Sequence, residues 1–479
     1  MRLSPMAEDR FSRVAALRPT ARRSSGSGAE PRGASPELPE GSARLAELLG
    51  ATARENRYGE HLALRRWFAE PVGGSPPEAS VDERALRLLC PEAPAEVADP
   101  QQWLFLDTET TGVAGGTGTY AFLVGIAWWD AGGLEVEQFF MRDHSEEHSV
   151  LIALAERMAE RRVLVTFNGK TFDWPLLETR YRMTRTIRPP RPRAHLDFLH
   201  PARSLWRLRL GTARLPELER HVLGWNRGID VDSQLIPAIY YDFLRGGLPD
   251  PLLPIFRHNQ MDLRGLAGLA ERIVRLLAEP ASLSPDALEL FGVSRICDRR
   301  GETARARELY ARSMASELPP EPARLARKAL ARLAKKNRDF PLACQLWTEL
   351  VGGRKGIRPI SREALAAYAE LAIHFERRAR DPHRARNLVR QALAELARGR
   401  HLGTISAALY LRYQRSFHKR LARLDRKMAG GSLLSCAAKA ESLARAQESN
   451  KEPPQGAEFD AGIGWRRSAI NETIGGETP

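Results

Sequence analysis

From Trp103 to Leu277 the chain switches repeatedly between strand-like and helix-like hydrophobic patterns, and this alternation restricts its fold more than any other feature. Trp103–Asp107, Ala121–Trp129 and Leu134–Met141 are apolar or β-rich runs set close together and separated by Gly, as strands are. An amphipathic helix over Glu146–Arg161, a strand over Val163–Phe167, a helix starting near Asp173 and a strand over Ala194–Leu199 follow. Helices around Leu215–Leu223, Gln234–Leu244 and Pro254–Leu277 close the region. Three meandering strands followed by helix–strand–helix–strand–helix predict an α/β domain built on a mixed five-stranded sheet with helices on its faces.

Three acidic stations lie on this pattern. In Leu104-Phe105-Leu106-Asp107-Thr108-Glu109-Thr110-Thr111-Gly112, strand alternation puts Asp107 and Glu109 on one face and Thr108 on the other. Two carboxylates side by side at the end of an apolar strand repel each other unless a cation sits between them, and a hard divalent ion such as Mg²⁺ or Mn²⁺ suits oxygen donors. In Val165-Thr166-Phe167-Asn168-Gly169-Lys170-Thr171-Phe172-Asp173-Trp174-Pro175, a buried strand enters a Gly-containing turn and Asp173 opens a helix. That geometry aims a carboxylate from the strand's C-terminal edge. In His258-Asn259-Gln260-Met261-Asp262, positions i and i+4 share a helix face, so His258 and Asp262 project together. Taken singly, each station has a plainer reading: a solvated strand end, a helix cap before Pro175, and a solvated His–Asp pair.

Taken in order, Asp-x-Glu, Asn-Gly-x-x-Phe-Asp and His-x-x-x-Asp resemble the DEDD, or DnaQ-like, 3′–5′ exonuclease superfamily, whose fold is ribonuclease-H-like. More narrowly the chain resembles the bacterial YprB-type branch with appended helical repeats, also in Gly115-Gly116-Thr117-Gly118-Thr119 after the first station. The resemblance covers about residues 100–275 well, the helical tail loosely and the first forty residues not at all. It implies that Asp107 bridges two metal ions, that Glu109 binds one of them, and that Asp173 and Asp262 complete the shells. His258, where some relatives have Tyr, implies the His-type subgroup, with the imidazole as general base on the attacking water. Two cations about 4 Å apart would activate that water and stabilise the leaving 3′-oxygen. The implied substrate is a nucleic-acid 3′ end, of DNA or RNA.

Other residues near the stations carry open readings. His195-Leu196-Asp197-Phe198-Leu199-His200 looks metal-like, yet His195 and Asp197 share one strand face and His200 opposes it; Asp197 suits a supporting or substrate-side role and both histidines have ordinary structural readings. Arg203, Trp206, Arg207 and Arg209 could grip phosphates and stack a base, or form a solvated helix face. Thr110, Thr111 and the Gly115–Thr119 loop could bring backbone N–H groups to a terminal nucleotide, or simply connect two strands. Lys170, beside the active edge, could contact phosphate or be an ordinary exposed lysine.

The rest of the 479 residues sets the context. With 73 Lys+Arg against 59 Asp+Glu, the formal charge is +14, which suits a polyanionic partner such as nucleic acid. Cys90, Cys297, Cys344 and Cys436 include no Cys-x-x-Cys pair, which argues against a thiolate zinc site or disulfide framework and fits a reducing, cytoplasmic setting. No apolar run reaches the ~18–20 residues that span a bilayer, and Met1 to Arg23 lacks the apolar core of a secretory signal. Residues 1–40 predict a disordered lead. Residues 41–99 predict a linking extension with a short helix around Ala43–Arg54 and a Pro-rich connector, Gly73 to Pro77. The ribonuclease-H-like domain is assigned to 100–279.

Residues 286–400 predict an all-α domain. Gly301-Glu302-Thr303-Ala304-Arg305-Ala306 with Tyr310 recurs as Arg338-Asp339-Phe340 to Ala343 with Trp347, and as Asp381-Pro382-His383 to Ala385 with Val389. The small residues lie 37 and 42 positions apart, close to the period of tetratricopeptide-like helix pairs, although an ordinary bundle with coincident alanines gives the same pattern. Additional helices follow over 401–449, and 450–479 predict a flexible tail. The repeats offer a surface for a protein partner. Two further functions remain open: a catalytically silent nucleic-acid-binding or scaffold protein acting through the repeats, and an unrelated metal-dependent phosphohydrolase acting on nucleotides. The complete acidic set favours the nuclease, because a relic has no chemical reason to keep four carboxylates and the His.

Overall fold

The computed structural model describes residues 40–69, 72, 81–112, 116–280, 283, 285–352 and 360–448. The expected N-terminal lead up to residue 39, the connector Gly73 to Pro77, Gly115 and the tail from residue 449 lie outside the described residues. A seven-stranded sheet carries the first domain. Its strands are β1 (Thr52–Asn56), β2 (Gly59–Phe68), β3 (Trp103–Thr110), β4 (Ala121–Asp130), β5 (Gly133–Phe140), β6 (Val163–Thr166) and β7 (Ala194–Asp197), in the order β1-β2-β5-β4-β3-β6-β7. The run β1-β2-β5-β4-β3 is antiparallel, whereas β3-β6 and β6-β7 are parallel. The C-terminal ends of β3, β6 and β7 therefore open onto one edge of the sheet.

The sheet has seven strands where the sequence pattern predicts five, because β1 and β2 fold back from the 41–99 extension. β1 reads Thr-Ala-Arg-Glu-Asn and is exposed along nearly its whole length, so it carries no alternation to betray a strand; polar edge strands also resist pairing with other chains. The helix preceding it, α1 (Glu40–Leu49), is shorter than the expected Ala43–Arg54. It stops at Gly50, whose φ of +63° is left-handed, a common helix end.

Strand alternation divides the core into two layers. Trp103 and Phe105 of β3 join a core with α2 (Glu83–Leu89), α5 (Leu199–Leu210) and α8 (Leu253–Ala278). Leu104 and Leu106 join the opposite core with α1, α3 (Glu147–Glu160), α4 (Asp173–Thr184) and α7 (Ile236–Leu244). Between α5 and α7 lies α6 (Leu215–Leu218), which continues as a π-helical turn over Glu219–Leu223. The long helix α8 buries an apolar stripe from Ile255 to Leu277 against the sheet, as its helical periodicity requires.

Among the described residues seven further helices follow: α9 (Ala287–Arg299), α10 (Thr303–Ala315), α11 (Pro320–Lys336), α12 (Phe340–Gly352), α13 (Arg362–Arg377), α14 (Pro382–His401) and α15 (Ala407–Glu448). Helix α9 packs on α5, so the helical region shares the first core layer. The recurrent spacing is physical: left-handed Gly301, Arg338 and Arg380 stand just before α10, α12 and α14. Ala306, Ala343 and Ala385 are each fully buried one turn later. An alanine there lets helix backbones approach, and Tyr310, Trp347 and Val389 fill the adjoining space. No helix among the described residues is long and apolar enough to cross a membrane.

Candidate active site

The alternation that builds the core continues past it. Asp107 and Glu109 have the parity of Trp103 and Phe105 and so face α8, while Thr108 faces α4. A register shift between Glu109 and Thr110 bends β3 where the acids lie, as bulges do beside functional sites. From the other face Asp173, at the start of α4, accepts a 2.6 Å hydrogen bond from the Thr108 hydroxyl. The turn that delivers Asp173 has Asn168 at φ +73°. It is clamped by Asp197, whose carboxylate accepts the backbone N–H groups of Asn168 and Lys170 at 2.9 and 3.0 Å, and that of Leu199 at 3.1 Å.

Helix α8 supplies the remaining groups. His258 and Asp262 project together, with His258 Nε2 3.7 Å from Asp262 Oδ2 and 3.9 Å from Glu109 Oε1. The other ring nitrogen, Nδ1, is 2.8 Å from Asp230 Oδ1. An ionised carboxylate only accepts, so Asp230 places the ring proton on Nδ1 and leaves the Nε2 lone pair facing the acids. Burial pushes the Asp230 carboxyl up, but the His258 hydrogen bond and charge, the Val231 N–H and Arg227 outweigh it and hold the group below its usual range.

Asp107 is held by an amide relay. Asn259 Nδ2 donates 2.8 Å to Asp107 Oδ2, Gln138 Nε2 donates 2.7 Å to Asn259 Oδ1, and Gln260 Nε2 donates 2.7 Å to Gln138 Oε1. Gln138 and Asn259 are fully buried, and the chain of bonds leaves each amide one orientation. The relay reaches Asp107 only because Gly125, opposite it on β4, has no side chain: a Cβ there would lie 2.0 Å from Asn259 Oδ1.

The electrostatics are those of an acid cluster without enough positive charge. Burial raises the Asp107 carboxyl well above its usual range, and the negative charges of Asp262 and Asp173 add to it. Burial likewise raises Glu109, reinforced by Asp107, Asp262, Asp173 and Asp230. Asp173 is pushed up to about 6, by burial first and by Asp197, against the Thr108 hydrogen bond. Arg227 partly compensates. It is buried, pairs through two nitrogens with the fully buried Glu219, lies 3.3 Å from Asp230, and brings Nη2 to 2.5 Å from Asp262 Oδ1. Gly265 on α8 makes room for Glu219.

Among the described residues, no group of three His, Cys, Asp or Glu side chains stands close enough to hold a metal ion as arranged. The donor chemistry nevertheless fits a divalent cation. Asp107, Glu109, Asp173 and Asp262 act on one another electrostatically. Asp262 Oδ1 is buried and ion-paired with Arg227 Nη2 at 2.5 Å. A set of four carboxylates is the all-oxygen donor set that a hard divalent ion takes.

Comparison with known proteins places this architecture. Residues 104–274 match the family model described as RNase_H superfamily. The fold of this region is ribonuclease-H-like. A protein of Bacillus subtilis (strain 168), the uncharacterized protein YprB, is 29% identical over 324 residues, covering 67% of this chain and 74% of YprB. The family B DNA polymerase from the hyperthermophilic archaeon Pyrobaculum calidifontis aligns at 17% identity with a TM-score of 0.32, over 44% of this chain and 29% of the polymerase. The ribonuclease-H-like region thus contains every residue of the acidic stations, and the helical region follows it.

All five residues singled out from the sequence lie at this edge of the ribonuclease-H-like domain. Asn259, Gln138, Gly125, Asp230 and Arg227 escaped the sequence reading. Gln138 on the otherwise apolar strand face of Leu134, Val136 and Phe140 was a legible signal; Asp230, 28 residues from His258 and in a loop, gave none. One expectation is corrected. Trp206 cannot stack a base, because it is fully buried and its indole N–H donates 2.7 Å to Glu289. Arg209 is exposed and ion-paired with Asp286 and Glu289. His195 bonds Thr166 at 2.8 Å and is structural.

Proposed function

We propose that the protein is a metal-dependent 3′–5′ exonuclease of the DEDD, His-type class, hydrolysing phosphodiester bonds at the 3′ end of DNA or RNA. The observation that carries this reading is the meeting of Glu109 and Asp262 with His258 Nε2 at one sheet edge, with Asp107 and Asp173 close enough to act on them electrostatically. Asp107, Glu109, Asp173 and Asp262 would hold two Mg²⁺ or Mn²⁺ ions. When bound, such ions supply an activated water and neutralise charge on the attacking and leaving oxygens. His258 Nε2 is oriented to take the proton of the attacking water, and Asp230 then stabilises the imidazolium through Nδ1–H. Asn259 holds Asp107 in a single rotamer as an acceptor. The apolar strands behind the acids exclude water and strengthen these interactions.

The test uses 5′-labelled single-stranded DNA and RNA oligonucleotides with Mg²⁺, with Mn²⁺ and with chelator. The expected result is a metal-dependent ladder that shortens from the 3′ end and is abolished in Asp107→Ala. Equal cleavage by the variant, or no cleavage of either polymer, refutes the reading. A second reading, a catalytically silent nucleic-acid-binding or scaffold protein acting through its helical repeats, is favoured by the Arg227 guanidinium resting on Asp262. It expects strand binding with no metal-dependent cleavage.

A further inference from the structure

At β7, two strands along the sheet from β3, which carries Asp107 and Glu109, a cavity of about 370 Å³ lies where the ribonuclease-H-like domain meets the helical region. Its floor is apolar, including Leu196, Phe198 and Ile296, and its rim carries Lys170, Arg299 and Arg300. Lys170 sits in the turn that delivers Asp173, and Arg299 and the adjoining Arg300 end α9. All three rim residues are exposed.

Their charge is unusual for being uncompensated. Among the described residues none of the three is ion-paired. Arg299 donates to the Ser204 hydroxyl at 2.6 Å, and Arg300 to the Leu88 and Leu89 carbonyls at 2.8 and 3.0 Å. The nearest acids in sequence are taken elsewhere, Asp298 by Arg332 and Glu302 by Arg84. Asp197, the acid in the cavity wall, has both oxygens engaged by backbone N–H groups. The cations also crowd each other: Arg299 is exposed along its length but its guanidinium is partly enclosed, which lowers it, and Arg295 and Arg300 lower it further against Tyr310. Like charges gathered over an apolar floor create an anion site, and a strand offers phosphates for the rim and sugar or base surface for the floor.

We infer that this groove, formed jointly by the β6–α4 turn, β7 and α9, binds the phosphate backbone of a single nucleic-acid strand and leads it to the carboxylate edge. The inference rests on the nuclease reading for the strand's destination. The helical region thereby completes the substrate path rather than forming a separate module.

The experiment is fluorescence anisotropy of labelled dT12 and rU12 against the full chain in Ca²⁺ or chelator, at several salt concentrations, without turnover. Each single-strand phosphate contact contributes about 0.7 to the slope of log affinity against log salt. Lys170→Ala is expected to lower the slope by about 0.7, and Lys170→Ala with Arg299→Ala by about 1.4. At 0.1 M salt this corresponds to binding weaker by about 5-fold and about 25-fold. Lys170 lies on an exposed turn, so the single variant keeps the fold, and Arg300 is left intact because it ties α9 to the end of α2. Arg398→Ala, on α14, is the bulk-charge control and is expected to leave the slope unchanged. Unchanged slopes in the groove variants, an equal loss in the control, or no binding of either strand by the wild type overturns the proposal. Wild-type binding that responds as expected, in a protein that cleaves nothing, upholds the groove and removes only the exonuclease reading.

Discussion

Gly125→Ala is the most informative single change near the site, because it adds one methyl group and removes nothing. The new Cβ would lie 2.0 Å from Asn259 Oδ1 and 2.7 Å from its Cγ, about half a normal carbon–oxygen contact distance at the closest point. Neither side can yield cheaply. Gly125 is paired across β3 with Asp107, and Asn259 is fully buried on α8. Asn259 must leave its place, and its bonds to Asp107 and Gln138 go with it. Overpacking costs about 1–3 kcal/mol, and an unmade hydrogen bond to a buried charged group about 1.5–3 kcal/mol, so Gly125→Ala should destabilise by about 3–5 kcal/mol. Asn259→Ala alone loses the bonds without the clash and should cost about 3 kcal/mol. The double variant has room for the methyl group, so it should cost about as much as Asn259→Ala, giving a coupling of about 3–5 kcal/mol. Urea unfolding of the four proteins, read by circular dichroism at constant m-value, measures this cycle. Additive costs would refute the claim that Gly125 exists to admit Asn259.

Two further outcomes are expected. Asp173, raised to about 6 in the fold, contributes stability that is fully present below its unfolded value near 3.8 and is lost as pH rises through about 6. The metal-free protein should therefore lose up to about 3 kcal/mol from this group between about pH 4 and 6; melting curves in chelator should show the loss, Asp173→Asn should remove this share of it while the raised Asp107 and Glu109 keep theirs, and Mg²⁺ should restore wild-type stability at pH 7. Asp230→Asn removes the carboxylate that orients His258. With the ring tautomer no longer set, kcat should fall by about 10²-fold or more with KM nearly unchanged, and a loss expressed in KM instead would show that Asp230 serves binding.

Local chemistry alone gave much of the site. The parity of Asp107 and Glu109, the turn before Asp173 and the i, i+4 pairing of His258 with Asp262 follow from strand and helix periods of a few residues, which any sequence displays. The left-handed turns before α10, α12 and α14 likewise echo a spacing visible in the chain. The strand count did not, because β1 is an exposed edge strand whose place depends on pairing with β2, itself held by β5.

What the tertiary structure alone decided are contacts between distant segments. Asn259 reaches Asp107 across 152 positions through the gap at Gly125, Asp230 finds His258 from an irregular loop, and Arg227 joins Glu219 to Asp262. By sequence Trp206 is open to stacking a base or lying on a solvated helix face; α9 covers it, which rules out both. Periodicity reports which face a side chain takes, but not which element comes to lie against that face. The acids could be read from the sequence because strand geometry aligns them; the groups that orient them could not, because only packing brings them there.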